Sequence, residues 1–195
     1  MSSTPIQLIV GLANPGKQYE STRHNAGAWF VENIADHASV QLRQEMKFHG
    51  MYGQTTIDGH SCHLLIPTTF MNLSGQSVRA VMNFYKIAPA SVLVAHDEID
   101  LPAGVTRLKF DGGDGGHNGL KDIIRHLSSK QFYRLRIGVG RPEHGDVADY
   151  VLDAPSKADR KKIDASLEKT DSVLPLLLQG EIQKAMHALH TQLEE

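Results

Sequence analysis

Apolar residues recur along this chain with two different periods, which predict strands and helices in alternation. Strands are indicated by short apolar runs or by strict alternation of apolar and polar residues. One such segment is divided by Asp58-Gly59, a dipeptide favoured in two-residue hairpin turns. The predicted strand segments are residues 6–12, 51–66 (a hairpin), 92–96, 105–110 and 133–140.

Helical spacing of apolar residues predicts helices between and after these strands. Ser74 stands at the start of one helix, where we expect it to act as the N-cap. About the last forty residues are helical in pattern, and we expect Pro175 to kink or break this run and Gly180 to interrupt it again. The other predicted helices cover residues 26–38, 74–86 and 120–127.

The order of these elements predicts the fold class. The chain has 195 residues, close to the usual size of one domain, and contains no internal repeat, low-complexity stretch or long linker. We therefore expect an α/β fold: a single domain over residues 1–195 with a twisted mixed β-sheet flanked by α-helices. No apolar run is long enough to span a membrane, and the start shows no secretory signal. Cys62, the single cysteine, favours a reducing cytoplasm.

Charge is unevenly distributed along the chain. The net charge is −2, which does not by itself indicate a nucleic-acid-binding protein. Residues 101–145, however, contain eight Lys and Arg against four Asp and Glu, so this segment carries +4 and the remainder −6. A cationic face on an acidic chain indicates an anionic partner that binds in one place. A solvated surface with chance clustering is the alternative.

Several common catalytic motifs are absent. The sequence has no GxxxxGK[ST] phosphate loop, no GxGxxG dinucleotide motif and no GxSxG nucleophile elbow. His60-Ser-Cys62-His63 has metal-ligand residue types, but neighbouring residues of a strand point to opposite faces. We interpret this segment, like His187-x-x-His190, as ordinary surface and expect no metal site.

Four short segments rich in Asn, His and Gly lie at predicted strand ends or loops, where sites gather in α/β sheets. Amides can hold a peptide backbone and a developing oxyanion without adding charge. A histidine is the natural base at neutral pH, and a carboxylate can orient its ring and favour its protonated form. The pattern therefore favours hydrolysis of an ester by water. The segments are 11–16, 22–25, 71–75 and 115–119, and His96-Asp97-Glu98 follows a strand.

At these positions the sequence resembles the bacterial peptidyl-tRNA hydrolase family. The matching motifs, in the family's order, are G-L-A-N-P-G-x-x-Y-x-x-T-R-H-N-x-G at 11–27, P-x-T-F-M-N-x-S-G at 67–75, H-D-E-I-D-L-P-x-G at 96–104, G-G-H-N-G-L-K at 115–121 and R-L-R-I-G-V-G-R-P at 134–142. The resemblance implies a twisted mixed sheet in one domain, and cleavage of the ester between tRNA and a peptide or another N-blocked amino acid, which recycles tRNA from aborted translation. It also implies peptidyl-tRNA as partner, and a cytoplasmic monomer that needs no metal or other cofactor.

The resemblance also implies roles at matching positions. His24 matches the base that activates water, and Asp97 the carboxylate that holds this histidine. Asn14 matches a residue that distinguishes blocked from free amino acids. Asp114 departs from the pattern, because a neutral or basic residue is expected in that glycine loop. The remaining matches are Asn72 and Asn118 for the peptidyl end and its carbonyl, Tyr19, Phe70 and Met71 for the tRNA 3′ end and first peptide residue, and Lys109 and Arg136 for the tRNA 5′-phosphate.

Strand periodicity independently indicates a phosphate site. Arg107 and Lys109 share one face of their predicted strand, and Arg134 and Arg136 share one face of theirs. Two strands would thus present paired cations to one side, which suits a phosphate.

Two other functions remain open at this point. A non-catalytic RNA-binding module would use the same cationic face, although His24 and Asp97 together favour an enzyme. A peptidase or other small hydrolase would need a metal or a nucleophile paired with a base, and the sequence shows neither set.

Overall fold

The computed structural model describes residues 4–191, which form a seven-stranded mixed sheet between two layers of helices. The strand order is β2-β3-β4-β1-β5-β7-β6. The central strands β4, β1, β5 and β7 are mutually parallel, whereas β2, β3 and β6 pair antiparallel. The strands are β1 (Leu8–Gly11), β2 (Arg43–Glu45), β3 (Gly50–Ile57), β4 (His60–Pro67), β5 (Val92–Glu98), β6 (Thr106–Phe110) and β7 (Tyr133–Gly138).

The helices cover the two faces of the sheet. They are α1 (Ala26–His37), α2 (Ser74–Tyr85), α3 (Asn118–Leu127), α4 (Val147–Val151), α5 (Lys157–Asp171), α6 (Leu174–Leu178) and α7 (Ile182–His190). Within residues 4–191, no helix combines the length and apolar character needed to cross a membrane.

Alternate residues of the central strands build two separate cores. On β1, Ile9 packs in the cluster that contains α1 and α5 to α7, whereas Leu8 and Val10 pack in the cluster that contains α2 and α3. All three side chains are fully buried. A strand buried on both faces has a continuous apolar sequence, which explains why β1 and β5 read as unbroken hydrophobic runs.

The structure confirms the predicted α/β class with its mixed sheet, and the hairpin at Asp58-Gly59, which joins β3 to β4. Boundaries differ: β1 and β7 are shorter than predicted, and the short strand β2 and helix α4 were not predicted. The predicted break near Pro175 is confirmed: α5 ends at Asp171, and Pro175 stands in the first turn of α6, where its missing N–H costs nothing. Gly180, with φ of 81°, separates α6 from α7 as expected.

One predicted helix cap and one predicted helix start were wrong. Ser74 is not an N-cap but the first residue of α2, and its hydroxyl donates to the carbonyl of Met71. Helix α3 begins at Asn118, two residues earlier than predicted, because the side chain of His117 serves as its N-cap. Histidine is an uncommon cap, so this helix start has no recognisable signal in the sequence.

Candidate active site

One large cavity opens where the carboxyl ends of β1 and β5 meet the amino ends of α2 and α3. Its volume is about 1010 Å³, enough for a ligand of drug size or larger. The cavity brings together all the site residues predicted from the sequence except Tyr19, which lies in a 3-10 turn at Lys17–Tyr19 and is not among the lining residues in the described part of the chain. Those lining it are Asn14, His24, Phe70, Met71, Asn72, Asp97, Lys109, Asn118 and Arg136.

Close packing of α1 places His24 at this cavity. The helix crosses β1 and β5 at Gly27, where a Cβ atom would lie 2.2 Å from the carbonyl oxygen of Ala95 and 2.6 Å from the amide nitrogen of Leu12. Only glycine permits this approach. The 3-10 turn Arg23–Asn25 precedes the helix directly, so the short distance between helix and sheet brings His24 to the end of β5.

His24 and Asp97 form the central pair of the site. Nδ1 of His24 lies 2.9 Å from Oδ1 and 3.0 Å from Oδ2 of Asp97. Because an ionised carboxylate only accepts, Nδ1 carries the hydrogen and donates it. Nε2 of His24 makes no hydrogen bond to any residue in 4–191 and is therefore the nitrogen able to accept a proton.

A second histidine contacts the same carboxylate. Nε2 of His117 lies 2.8 Å from Oδ1 of Asp97, while its Nδ1 accepts from the backbone N–H of Gly119 at 3.1 Å and, more weakly, of Leu120 at 3.4 Å. Nδ1 must therefore be unprotonated and Nε2 must donate to Asp97. Both ring nitrogens of His117 therefore form hydrogen bonds. Of the two histidines, His24 is the one with a nitrogen available to accept a proton.

Burial and the two histidines together determine the electrostatics of the pair. Burial alone lowers the pKa of His24, but the negative charge of Asp97 and its hydrogen bond outweigh burial, and the net pKa is raised. Burial alone raises the pKa of Asp97, but the two imidazoles that donate to it, His117 and His24, hold the net pKa below its usual range. Asp97 is thus an anion throughout the neutral range.

The side-chain amide of Asn14 already uses its oxygen in a hydrogen bond within the protein. Its Oδ1 accepts from the backbone N–H of Met71 at 2.8 Å. The side chain of Asn25 bonds both the N–H of Asn14, at 2.9 Å, and its carbonyl, at 3.0 Å. The Nδ2 group of Asn14 has no partner within residues 4–191, so the atom this residue offers a ligand is a hydrogen-bond donor.

The remaining predicted substrate contacts lie at helix starts. Asn72 and Met71 belong to a 3-10 turn at Met71–Leu73 that leads into α2, and Asn118 is the first residue of α3. Phe70, just before this turn, is 57% exposed. An exposed aromatic ring at the mouth of a polar cavity is a suitable platform for a nucleotide base.

The four strand cations lie on one face of the sheet, as the periodicity predicts, but they are not equally accessible. In register, Lys109 lies opposite Arg134, and Arg107 lies opposite Arg136. Arg134 is 2% exposed, and its guanidinium donates to the carbonyl of Gly112 at 2.6 Å and to that of Gly113. Arg134 therefore holds the glycine-rich loop and does not belong to a surface pair.

Lys109 and Arg136 remain accessible at the cavity. Lys109 is exposed, and the side chain of Arg136 is about one quarter exposed while its Nε donates to Glu98 at 2.8 Å. A guanidinium bound through Nε still has two terminal NH₂ groups, so the pair with Glu98 fixes the direction of Arg136 without consuming its binding groups.

The sequence matches the profile of the peptidyl-tRNA hydrolase family over residues 8–195. The chain belongs to the peptidyl-tRNA hydrolase family. It is similar to a peptidyl-tRNA hydrolase solved with n-propanol, at 47% identity over 95% of both chains and a TM-score of 0.92. It is also similar to peptidyl-tRNA hydrolase from Acinetobacter baumannii, at 46% identity over 98% of this chain and 97% of that one, with a TM-score of 0.93.

Membership of the peptidyl-tRNA hydrolase family identifies the chain as a hydrolase that acts in translation. A more distant likeness, to purine nucleoside phosphorylase from Toxoplasma gondii, has 9% identity and a TM-score of 0.51. At that identity the similarity concerns the fold alone.

Three features of the site in this chain could not be predicted from its sequence. His117 lies inside the sequence motif at 115–121, but its distance along the chain from Asp97 gives no indication that the two side chains form a hydrogen bond. His96 lines the cavity and is so fully buried that its pKa falls to about 3, with the neighbouring His117 adding to this effect. The wall formed by α4 had no sequence signal, since the helix has only five residues.

Two groups of side chains within residues 4–191 have atoms arranged so that they can hold a metal ion. In each, one ligand atom per residue lies within 4.8 Å of the others. The first, His24, Asp97 and His117, is the hydrogen-bonded cluster described above. The second is His37 with Glu168 and Asp171 on the outer surface, where Nδ1 of His37 lies 2.6 Å from Asp171 and Nε2 lies 3.5 Å from Glu168. Both ring nitrogens of His37 are thus occupied by different carboxylates.

Proposed function

We propose that this enzyme hydrolyses the ester bond of peptidyl-tRNA with water as the nucleophile, using His24 as general base and Asp97 to hold it. The observation that carries the proposal is the contact of Nδ1 of His24 with both oxygens of Asp97, at 2.9 and 3.0 Å, at the wall of the cavity. It leaves the opposite nitrogen of the ring for proton transfer.

The proposed reaction has two steps. In the first, Nε2 of His24 takes a proton from water while the water oxygen bonds to the ester carbonyl carbon, and the carbonyl electron pair becomes an oxyanion. In the second, the carbonyl re-forms, the bond to the terminal ribose oxygen of tRNA breaks, and this oxygen takes the proton from His24. The products are the free peptide acid and tRNA with its ribose hydroxyl restored.

Asp97 supports the charged state of His24 between these steps. An anion that contacts Nδ1 stabilises the imidazolium and fixes the tautomer in which Nε2 is basic. The raised pKa of His24 is consistent with this role, since a stronger base accepts the proton of water more readily.

Three amides are proposed to hold the peptide end. Nδ2 of Asn14 is a donor with no partner in the described part of the chain, which suits a carbonyl of the blocking group or peptide. Asn72 and Asn118 lie at the starts of α2 and α3, where their amides can bind the peptidyl end and its carbonyl. Amides provide this binding without adding charge beside the base.

Lys109 and Arg136 are proposed to bind the 5′-phosphate of the tRNA. Among the four cations on β6 and β7, they are the two that both line the cavity containing His24 and remain accessible to a ligand. Asp114, the acidic residue of the glycine loop, also lines the cavity, but its Oδ1 accepts from the N–H of Gly116 at 2.8 Å and so closes the loop turn.

We further propose that the enzyme acts in the cytoplasm, as a monomer and without a metal or other cofactor. In the cluster of His24, Asp97 and His117, Nδ1 of His24 and Nε2 of His117 already donate hydrogen bonds to Asp97. Activity that persists after treatment with a chelator, in protein shown by elemental analysis to be metal-free, is the expected result. Loss of activity that is restored by an added metal would overturn this part.

The decisive experiment is turnover of an N-acetyl-aminoacyl-tRNA by wild type, His24→Ala and His60→Ala. His60 is an exposed histidine at the start of β4 and serves as the control. We expect turnover by wild type and His60→Ala, and almost none by His24→Ala. Binding of the tRNA without turnover by wild type would instead favour a non-catalytic RNA-binding module.

A further inference from the structure

Helix α4 gives the cavity its apolar wall, although it is only five residues long. Val147, Ala148, Val151 and, just after the helix, Leu152 line the cavity. The preceding segment, residues 141–146, is mostly exposed. It is bounded by Gly140 at φ of 77° and contains Gly145 at φ of 96°. Such a short helix after an exposed loop depends on contacts at its other end to stay in place.

Arg23 supplies those contacts at the C-terminal end of α4. Its Nη1 donates to the carbonyl of Tyr150 at 2.9 Å and to that of Asp153 at 3.2 Å, and its backbone N–H donates to the same Asp153 carbonyl at 3.0 Å. Its guanidinium also stacks over the ring of Tyr150, 3.8 Å from the centroid. The hydroxyl of Tyr150 in turn donates to the carbonyl of Val139 at 2.7 Å.

These contacts suit an arginine better than any other residue. The last carbonyls of a helix lack partners within the helix, and a cation there is favourable. A planar guanidinium can both donate in its plane and stack on an aromatic ring, which an ammonium group cannot do to the same extent. Arg23 is only 9% exposed, so water does not replace these bonds readily.

We infer that Arg23 is a positioning residue for the peptide end of the substrate, because it holds the apolar wall of α4 beside the turn that carries His24. The inference rests on the proposed function and extends it: the wall accepts an apolar side chain of the last peptide residue. Burying a leucine side chain against such a wall strengthens binding by roughly tenfold or more. An amino acid without a side chain cannot use the wall.

The test compares wild type with Arg23→Met, Arg23→Lys and Arg160→Met. Arg160 is the matched control, since its guanidinium stacks over Trp29 at 3.5 Å and its Nε bonds Asp164 at 2.9 Å, and it does not line the cavity. Each protein is assayed with N-acetyl-leucyl and N-acetyl-glycyl esters of the same tRNA. Amide hydrogen exchange of residues 147–153 is measured in parallel.

We expect Arg23→Met to raise KM for the leucyl ester by about tenfold, to change KM for the glycyl ester by less than about threefold, and to leave kcat and its pH profile nearly unchanged. Exchange in residues 147–153 should accelerate, Arg23→Lys should restore part of both effects, and Arg160→Met should show neither. An equal change in KM for the two esters, unchanged exchange, or a shifted pH profile would overturn the inference. Wild-type failure to cleave either ester would overturn the proposed function instead, while the exchange measurement still tests the contact between Arg23 and α4.

Discussion

The bond between Nε2 of His117 and Oδ1 of Asp97, 2.8 Å long, determines which of two neighbouring histidines is available as a base. The rings of His24 and His117 lie 4.9 Å apart between centroids and share one carboxylate. Because His117 also caps α3 through Nδ1, it has no nitrogen left to accept a proton from water. We therefore expect His24, and not His117, to transfer the proton.

Replacement of His24 by alanine is expected to lower kcat by roughly 10²–10⁴ while tRNA binding persists, because general base catalysis typically contributes that much. Single-turnover assays and a binding assay on N-acetyl-aminoacyl-tRNA measure the two quantities separately. A covalent peptidyl-enzyme trapped by rapid quench of the wild type would contradict the water mechanism.

Asp97→Asn is expected to lower kcat less than His24→Ala and to move the acidic limb of the kcat/KM profile to lower pH. Asp97 raises the pKa of His24, and His24 must be neutral to accept a proton, so activity falls as pH drops through that pKa. Without the anion the pKa falls and the limb follows it. A limb that stays in place would exclude Asp97 as the partner that sets the charge of His24.

Asn118→Ala is expected to reduce kcat/KM on a short model ester as strongly as on full-length peptidyl-tRNA, and the same holds for Asn14→Ala. Both residues line the cavity beside the catalytic pair, so their amides bind the part of the substrate common to both esters. Gln76→Ala, an exposed position on α2, provides the control. An effect confined to full-length tRNA would reassign the residue to RNA binding.

Lys109→Ala and Arg136→Ala are each expected to raise KM by about tenfold and to leave kcat nearly unchanged, since a phosphate contact is equal in ground and transition states. The dependence of log K on log salt should become shallower by roughly one unit in each variant. On a minimal ester that lacks the 5′-phosphate, wild type and Lys109→Ala should be equally active.

Arg107→Ala is the control for this pair, because Arg107 lies opposite Arg136 but does not line the cavity. Arg134 is unsuitable for that purpose, since its removal would release the carbonyls of the glycine-rich loop. Equal effects at Lys109, Arg136 and Arg107 would show a diffuse cationic surface and contradict a specific phosphate site.

Gly27→Ala is expected to destabilise the fold by about 1–3 kcal/mol and to lower kcat, because the added Cβ pushes α1, and with it His24, away from the end of β5. Thermal unfolding and turnover measure the two effects. Gly53→Ala is the control, since a Cβ there also meets packed side chains, 2.9 Å from Cγ1 of Val40, but Gly53 does not line the cavity. If Gly27→Ala were destabilised but kept its kcat, the position of His24 would not depend on the close packing of α1.

The sequence by itself determined the kinds of element and the segments that carry chemistry. Ile9 and its neighbours formed a continuous apolar run because both faces of β1 are buried, and Asp58-Gly59 marked its hairpin because the turn needs those residue types. Such signals are local, so they can be recognised without knowledge of the fold. His24 and Asp97 also stand in short segments of distinctive composition, but it was the resemblance of those segments to the motifs of the peptidyl-tRNA hydrolase family that indicated their roles.

Only the tertiary structure determined which side chains and backbone groups of these segments contact one another. Periodicity placed Arg134 and Arg136 on one face but could not show that Arg134 is buried against the carbonyls of Gly112 and Gly113. It could not assign His117 to Asp97 either, because that bond depends on how the loop before α3 folds back to β5. Hydrogen-bond partners distant along the chain are selected by packing and register, which the local pattern of a sequence does not encode.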